Sequence, residues 1–486
     1  MMAIWFDVDD LVAYFNAHRR PSGIQRLCFE IYREVWRLAG HTGQIKFCRH
    51  DLHYTKLIEI DWPTLHRTIT EVTAKQHPDR DVLIKPLEEE PEPAPAPEPP
   101  PPPPPPPPRI HPHAPAWLRV ITRLALPQKL RFAVGDAFYA ANAQADAYRH
   151  AARAALTHFG LLRPKKPNIE PEVIDMPHGE AAMKPGDTLV ALGSIWDPRF
   201  APLLARLQAE YGIRFATIVY DLIPDFFPAL TGEYLTALFR GWLYKVVPRA
   251  DVLFTISHAS AHDLRGVMRA RGTPIQPPCV LPIGARRTKP KPRLRAPHLR
   301  PYVLFVSTIE PRKNHEFMLA VWEELLAALP PERVPDLIFA GRLMGNMAAR
   351  FNARIGRETL RQRVRIITEP EDEQLAALYA NCLFTVFPSF YEGWGLPVTE
   401  SLCMGKTVAA SNRASLPEAG GEFCVYYDPE DVPAAAAVIR ELIENPKKIS
   451  VLEKRIARHF HPPGWADTAG ALLAALAPDA AMDRAA

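Results

Sequence analysis

At 486 residues the chain is too long for one compact domain and comfortable for two. Hydrophobic residues make up 47% and charged residues 23%, a globular composition with enough apolar matter for a sizeable core. A net charge of +4 is mild for this length and argues against nucleic acid as the main partner.

The first residues show no basic stretch followed by an apolar run, so no signal peptide is expected. No stretch approaches the roughly 20 apolar residues of a membrane span. The expected location is the cytoplasm, with at most peripheral contact at the inner face of the cytoplasmic membrane. Six cysteines, Cys28, Cys48, Cys279, Cys382, Cys403 and Cys424, form no CxxC pair or other ligand spacing and read as reduced core thiols.

In chain order, residues 4–8 read as a strand, 24–38 as a helix and 45–48 as a second strand. Residues 86–115 are a low-complexity insert with ten consecutive prolines, Pro99 to Pro108. Proline fixes φ and lacks an N–H, so this run cannot join a helix or sheet. It is expected as polyproline II, at about 3.1 Å per residue. The insert reads as a disordered spacer, or as a ligand for an SH3-like groove.

Residues 114–162 read as broken helix. Strands are then expected at 188–192, 215–220, 252–257 and 280–284, with helices at 202–211, 232–245 and from 259. A basic, proline-rich connector occupies 286–300.

The second half repeats the alternation: strands at 302–308, 336–340, 364–367, 383–387, 407–410 and 424–427, with helices between. The helix at 314–329 carries Phe317, Val321, Leu325 and Leu329 on one face. Short apolar strands alternating with helices imply parallel, doubly wound sheets. The fold class is therefore α/β, with two Rossmann-like domains facing each other across a cleft. The expected boundaries are 1–290, 291–300 as linker, 301–476, and a flexible tail at 477–486. Ligands in such sheets bind beyond the carboxyl ends of the strands.

The sharpest motif is Pro388-Ser-Phe-Tyr-Glu-Gly-Trp-Gly-Leu-Pro-Val-Thr-Glu-Ser-Leu-Cys-Met-Gly405. It follows a strand and opens a helix, with Pro397 in the first helical turn and Gly405 past the end. Gly393 and Gly395 let backbone N–H groups approach a ligand, and the helix N-terminus suits a diphosphate. Glu392 and Glu400 are separated by seven residues. Carboxylates accept bidentate hydrogen bonds from vicinal hydroxyls, which suits ribose or hexose.

A second element, Val306-Ser-Thr-Ile-Glu-Pro-Arg-Lys-Asn314, sets Arg312 and Lys313 in a strand–helix loop, a place for an anionic diphosphate. A third is Tyr379, with Ile366, Ile367 and Thr368 upstream. In the first half, Gly23 and Arg26 lie in Pro21-Ser-Gly-Ile-Gln-Arg26. Tyr220 and Asp221 end one strand, and Ser257-His258 ends the next. Asp7-Val8-Asp9 spells Asp-x-Asp away from any donor motif, and no metal role is assigned to it.

The segment 388–405 closely resembles the signature of family 4 glycosyltransferases, which have the GT-B fold and retain anomeric configuration. The resemblance runs from Ile4 to about Leu476 and is strongest over 301–428. It implies that Glu392 sits near the donor sugar and Glu400 holds the ribose. Gly393, Gly395, Leu396 and Pro397 then face the donor, and Lys313 neutralises the leaving phosphate. Thr308 stands where many members have arginine, leaving Arg312 or Arg342 as the second cation. Ile367 and Tyr379 lie under the nucleotide base.

Gly23 to Arg26 resembles the Gly-Ile-x-Arg loop of a bacterial mannosyltransferase-like subgroup. Tyr220-Asp-Leu-Ile-Pro224 resembles its His-Asp-Leu-Ile-Pro, with tyrosine for histidine. Gly23, Arg26, Tyr220, Asp221 and His258 are the candidate acceptor or cleft residues. Gly464-Trp-Ala-Asp resembles the tail that packs the final helix back toward the first domain.

The implied activity is transfer of a hexose, mannose from GDP-mannose in the first instance, to a saccharide or lipid-linked glycan acceptor in surface polysaccharide synthesis. No cofactor and no metal are expected. The alternatives are an epimerase or glycan phosphorylase of the same fold, or a scaffold organised by the polyproline run. The basic stretches 119–131 and 286–300 read as solvated surface or as a contact with an anionic membrane.

Overall fold

A computed structural model describes residues 2–18, 23–74, 179–285, 300–344, 355 and 358–477. These belong to one unit made of Met1–Leu87 and Glu172–Ala486. The polyproline insert, the stretch 119–131, most of the basic connector and the final residues lie outside the described residues.

Two sheets organise the unit. The first comprises β1 (Ile4–Asp7), β2 (Ile45–His50), β3 (Leu57–Ile60), β4 (Gly179–Glu180), β5 (Thr188–Ala191), β6 (Arg214–Val219), β7 (Val252–Thr255) and β8 (Cys279–Val280). Their order is β4-β3-β2-β1-β5-β6-β7-β8. The second comprises β9 (Tyr302–Val306), β10 (Asp336–Ala340), β11 (Val364–Ile367), β12 (Thr385–Phe387), β13 (Val408–Ser411) and β14 (Cys424–Tyr427). Its order, β11-β10-β9-β12-β13-β14, reverses direction between β9 and β12. That reversal is the switch point at which doubly wound sheets open a crevice.

Every pairing in the second sheet is parallel. In the first sheet β3 runs antiparallel to both its neighbours, β2 and β4, where a wholly parallel sheet is expected. The reason is local. Only residues 51–56 separate β2 from β3, too few for a crossover, and the Asp51 carboxylate accepts the Thr55 and Lys56 N–H groups to close a tight turn.

Alternation along the strands buries both faces. In β9, Val303 and Phe305 join Leu337 and Phe339 on one side, while Tyr302 and Leu304 join Ile338 and Ala340 on the other. Phe6 and Phe47 pack opposite Trp5 and Cys48 in the same way. The described cysteines are all free thiols, and all but Cys279 are buried.

The final helix, Trp465–Leu476, follows the second domain in sequence but buries Ala469, Leu472 and Leu476 in the first domain's core, as the Gly464-Trp-Ala-Asp resemblance implies. Its entry is fixed by Gly284, where a Cβ would fall 2.7 Å from the Trp465 Cα. The Thr468 hydroxyl also donates to the Pro282 carbonyl at 2.7 Å. Among the described residues, no helix is long and apolar enough to cross a membrane.

Candidate functional site

The loops after β9 and β12 flank the switch point of the second sheet and meet there. The loop after β9 tightens into a 3-10 turn at Pro311–Lys313 and passes through Asn314 at φ 60°. Asparagine tolerates this left-handed backbone better than most residues. Its amide also donates to the carbonyls of Pro429 (2.9 Å) and Pro388 (3.3 Å), binding the loop to the segments that follow β14 and β12. From the other side, Gly341 at φ 154° leaves room for the Ser307 carbonyl, 1.9 Å from where a Cβ would stand. Neither Asn314 nor Gly341 carries a sequence signal beyond residue type.

These supports set Lys313 Nζ 2.6 Å from Glu392 Oε1, and Arg312 2.9 Å from Glu392 Oε2. Arg312 also pairs with Glu310 at 2.6 Å and donates to the Tyr391 carbonyl at 3.1 Å. Burial pushes the Glu392 carboxyl up, but Arg312 and Lys313 overcome this and bring it down to about 2. Burial pushes Lys313 down, with Glu392 opposing. Arg312 is held above its ordinary value because Glu392, Glu310 and Asp221 outweigh its burial. The result is one fixed, buried carboxylate between two partly buried cations.

The helix Leu396–Cys403 begins beside this cluster. Gly395 precedes it at φ 101°, no side chain among the described residues caps it, and Pro397 sits in its first turn. Its N-terminus is therefore open to an anion. Thr308 is half-buried in the loop after β9, and Ser307 is held by a 3.1 Å hydrogen bond to His315. Of the two arginines proposed as second cation, Arg312 lies on Glu392. Arg342 is exposed, and its carbonyl accepts the Ile309 N–H.

Glu400, one turn into the helix, receives Arg26 from the first domain at 2.6 Å. Tyr379 is buried beneath it. Burial and then the Glu400 charge raise its hydroxyl well above the usual range. Ile367 packs in the same cluster as Tyr379.

The first domain meets this surface directly. A Cβ on Gly393 would stand 2.6 Å from the Tyr220 carbonyl and 3.2 Å from Asp221 Cβ, and one on Gly23 would lie 3.9 Å from Leu396. Burial raises the Asp221 carboxyl, while the Ile223 N–H, Arg312 and Lys313 pull it down. Asp221 Oδ1 accepts the Ile223 N–H at 3.0 Å, and its carboxyl lies within the field of the cation pair. Tyr220 does not present its hydroxyl there: it donates to the Leu192 carbonyl at 2.6 Å, beside Cys28.

The His258 side chain is exposed, and its backbone N–H donates to Glu418 at 2.7 Å. Tyr391 donates to Asp263 on the helix His258–Ala270. Asp9 is engaged by His50 (2.9 Å) and Arg49 (3.2 Å). Glu418, Asp263 and Ser415 were not foreseen. The half-buried Glu418 and Asp263 carry no hydrophobic period, and the buried Ser415 shows its role only through hydrogen bonds to the Glu392 and Trp394 carbonyls.

Residues 286–459 match the family model "Glycosyl transferases group 1", and this part of the chain belongs to that family. Over 144 residues the chain is 36% identical to O-antigen chain mannosyltransferase B of Escherichia coli, covering 30% of this chain and 37% of that protein. It is 28% identical over 233 residues to serotype-specific mannosyltransferase WbdA of Escherichia coli, covering 46% of this chain and 28% of that protein. The chain thus spans well under half the length of these two relatives. The solved structure of an α,α-trehalose-phosphate synthase (UDP-forming) from Burkholderia xenovorans superposes with a TM-score of 0.50 at 12% identity. It covers 61% of this chain and 74% of that one, a likeness of fold. The fold is GT-B.

Proposed function

We propose that this chain, with its glycosyltransferase group 1 domain, is a retaining hexosyltransferase that moves mannose from GDP-mannose to a saccharide acceptor in bacterial surface polysaccharide synthesis. The observation that carries the reading is the convergence of Lys313, Arg312 and Glu392 beside the uncapped N-terminus of Leu396–Cys403. Two cations and a helix end suit a diphosphate leaving group, whose charge grows as the glycosidic bond breaks. Mannose is favoured by the similarity to the two Escherichia coli mannosyltransferases.

In this reading the diphosphate lies between the Lys313 loop and the Leu396 helix end, with Glu392 near the sugar and Glu400 on the ribose hydroxyls. Tyr379 and Ile367 lie toward the base. The acceptor enters from the side of Asp221. The C1–O bond to phosphate breaks and the C1–O bond to the acceptor forms on the same face. The acceptor's proton passes to the leaving phosphate oxygen. Arg312 and Lys313 hold charge in place before the reaction, so little reorganisation is required. Contact of Gly393 with Tyr220 and Asp221 narrows the cleft and excludes water. The donor is a cytoplasmic metabolite in this reading, and the acceptor is a saccharide or lipid-linked glycan at the inner face of the membrane.

The test is thermal shift against GDP-, UDP- and ADP-sugars, followed by the anomeric configuration of the transferred sugar. A ligand that binds only the folded state must raise the melting temperature. The expected result is a shift with GDP-mannose that Lys313→Ala and Glu400→Ala both lose, and an α-linked product. A shift with another nucleotide class replaces the donor. Release of a free epimerised nucleotide sugar, or turnover with phosphate alone, replaces the reaction.

A further inference from the structure

The short helix Leu416–Gly420, with its N-cap Ser415, does two mechanical jobs. At its start, the buried Ser415 hydroxyl donates to the carbonyls of Glu392 (2.8 Å) and Trp394 (3.0 Å), and Leu416 Cδ2 lies 2.6 Å from where a Cβ on Gly395 would stand. This end holds the loop that carries the site carboxylate. Two residues further on, the Glu418 carboxylate reaches the first domain. Its two oxygens accept the His258 and Ala259 N–H groups, both at 2.7 Å.

Those two N–H groups open the 13-residue helix His258–Ala270, whose dipole favours an anion there. Ser257 caps the N–H of Ser260, so Glu418 takes donors that the local cap leaves over. The same helix receives Tyr391 on Asp263, and its Ser260 hydroxyl donates to the Tyr220 carbonyl, the atom that packs on Gly393.

We propose that Glu418 is a positioning residue that couples closure of the two domains to the placement of Glu392. Its carboxylate locks onto the His258–Ala270 helix when the cleft closes, and the rigid Ser415–Glu418 turn passes that contact to the loop holding Glu392. Glu418 touches neither Lys313 nor Arg312, so it acts through the loop and not on the sugar. Bidentate acceptance requires two carboxylate oxygens. Glutamine supplies one acceptor and puts an NH2 group against the second N–H.

The inference rests on the glycosyltransferase reading for its kinetic part but not for its structural part. The experiment therefore uses two readouts on the full chain with Glu418→Gln and Glu418→Ala. Backbone amide exchange is followed in peptides spanning 258–262, and kcat and KM are measured with GDP-mannose. Loss of hydrogen bonds to a charged acceptor should speed exchange at these amides about ten- to a hundredfold. It should lower kcat by a similar factor while the donor KM stays within about twofold.

Ser415→Ala separates the two jobs: exchange at 258–262 stays slow while kcat falls. Unchanged exchange in Glu418→Ala overturns the contact. Faster exchange with unchanged kcat overturns the coupling. A wild-type chain that transfers no sugar sinks the transferase reading, and the exchange result still decides the contact.

Discussion

Lys313 and Glu392 lie 2.6 Å apart across the switch point of the second sheet, one in the loop after β9 and the other in the loop after β12. Each is nearly buried, and each favours the charged form of the other. The pair is well suited to a reaction in which an anion forms nearby, because the lysine is already in place and already desolvated.

Replacing Lys313 with alanine is expected to lower kcat about a hundred- to a thousandfold, the cost of losing one aimed cation or donor at a charged transition state. Single-turnover measurement at saturating donor checks this, and a loss under about tenfold counts against Lys313 as the leaving-group cation. The Glu392 carboxyl, now held by Arg312 alone, should rise from its value of about 2.

Arg26 and Glu400 form a different kind of pair. It joins the two domains at 2.6 Å, but its side chains are 55% and 28% exposed, so solvent and salt screen it. Breaking it should cost folding less than about 1 kcal/mol. Arg26→Ala should therefore leave the melting temperature and the donor-induced shift nearly intact. Glu400→Ala should keep the melting temperature but weaken donor binding about tenfold or more, because hydrogen bonds to an ionised acceptor are lost. Calorimetric titration of both variants separates the two roles. Equal losses of donor affinity would show that Arg26 also contacts the donor.

Gly393 supplies a test of the closed cleft. Its φ is not positive, so alanine meets no backbone strain there. The obstacle is the other domain: the added Cβ would lie 2.6 Å from the Tyr220 carbonyl. A clash between domains is relieved by separating them and leaves the cores intact. Gly393→Ala should thus lower kcat at least about tenfold with little change in melting temperature, and raise the radius of gyration in solution scattering. An unchanged rate would mean that turnover does not need this contact.

Much of this was legible in the sequence. The strands β9 to β14 follow from short apolar runs, and the Glu392–Glu400 motif follows from its place between strand and helix. Position after a strand singled out Arg312 and Lys313 together, and the choice of Lys313 came from the family resemblance. The edge strands β3 and β4 were not foreseen, since Leu57–Ile60 is short and Gly179–Glu180 has no pattern. Side-chain direction was also beyond reach. Tyr220 and Asp221 are adjacent at one strand end, yet the Tyr220 hydroxyl turns to the Leu192 carbonyl while the Asp221 carboxylate accepts the Ile223 N–H. Neighbouring residues of an extended segment point to opposite sides, and which side meets the cleft depends on tertiary packing.

Asp7 gives a prediction on stability that does not depend on the reaction. Its carboxyl is 3% exposed, Oδ1 accepts the Asp9 N–H, and Oδ2 is buried with no hydrogen-bond partner among the described residues. Burial raises its pKa from 3.8 to about 6, with Asp9 and Asp10 adding and His50 and the Asp9 N–H opposing. A carboxyl raised on folding favours the protonated state, so its stabilisation is present below 3.8 and is lost as pH climbs to about 6. The ionised form then costs the fold up to about 3 kcal/mol.

His50 is also raised, by Asp9 and Asp7 against its burial, and its contribution falls in the same direction with rising pH. An asparagine in place of Asp7 keeps an acceptor for the Asp9 N–H without the charge. Asp7→Asn should therefore melt higher than the wild type at pH 7, and the gap should close as pH falls from about 6 to about 4. Melting curves across that range check the sign. A variant that melts lower at pH 7 would mean that the Asp7 charge holds His50 more than its burial costs.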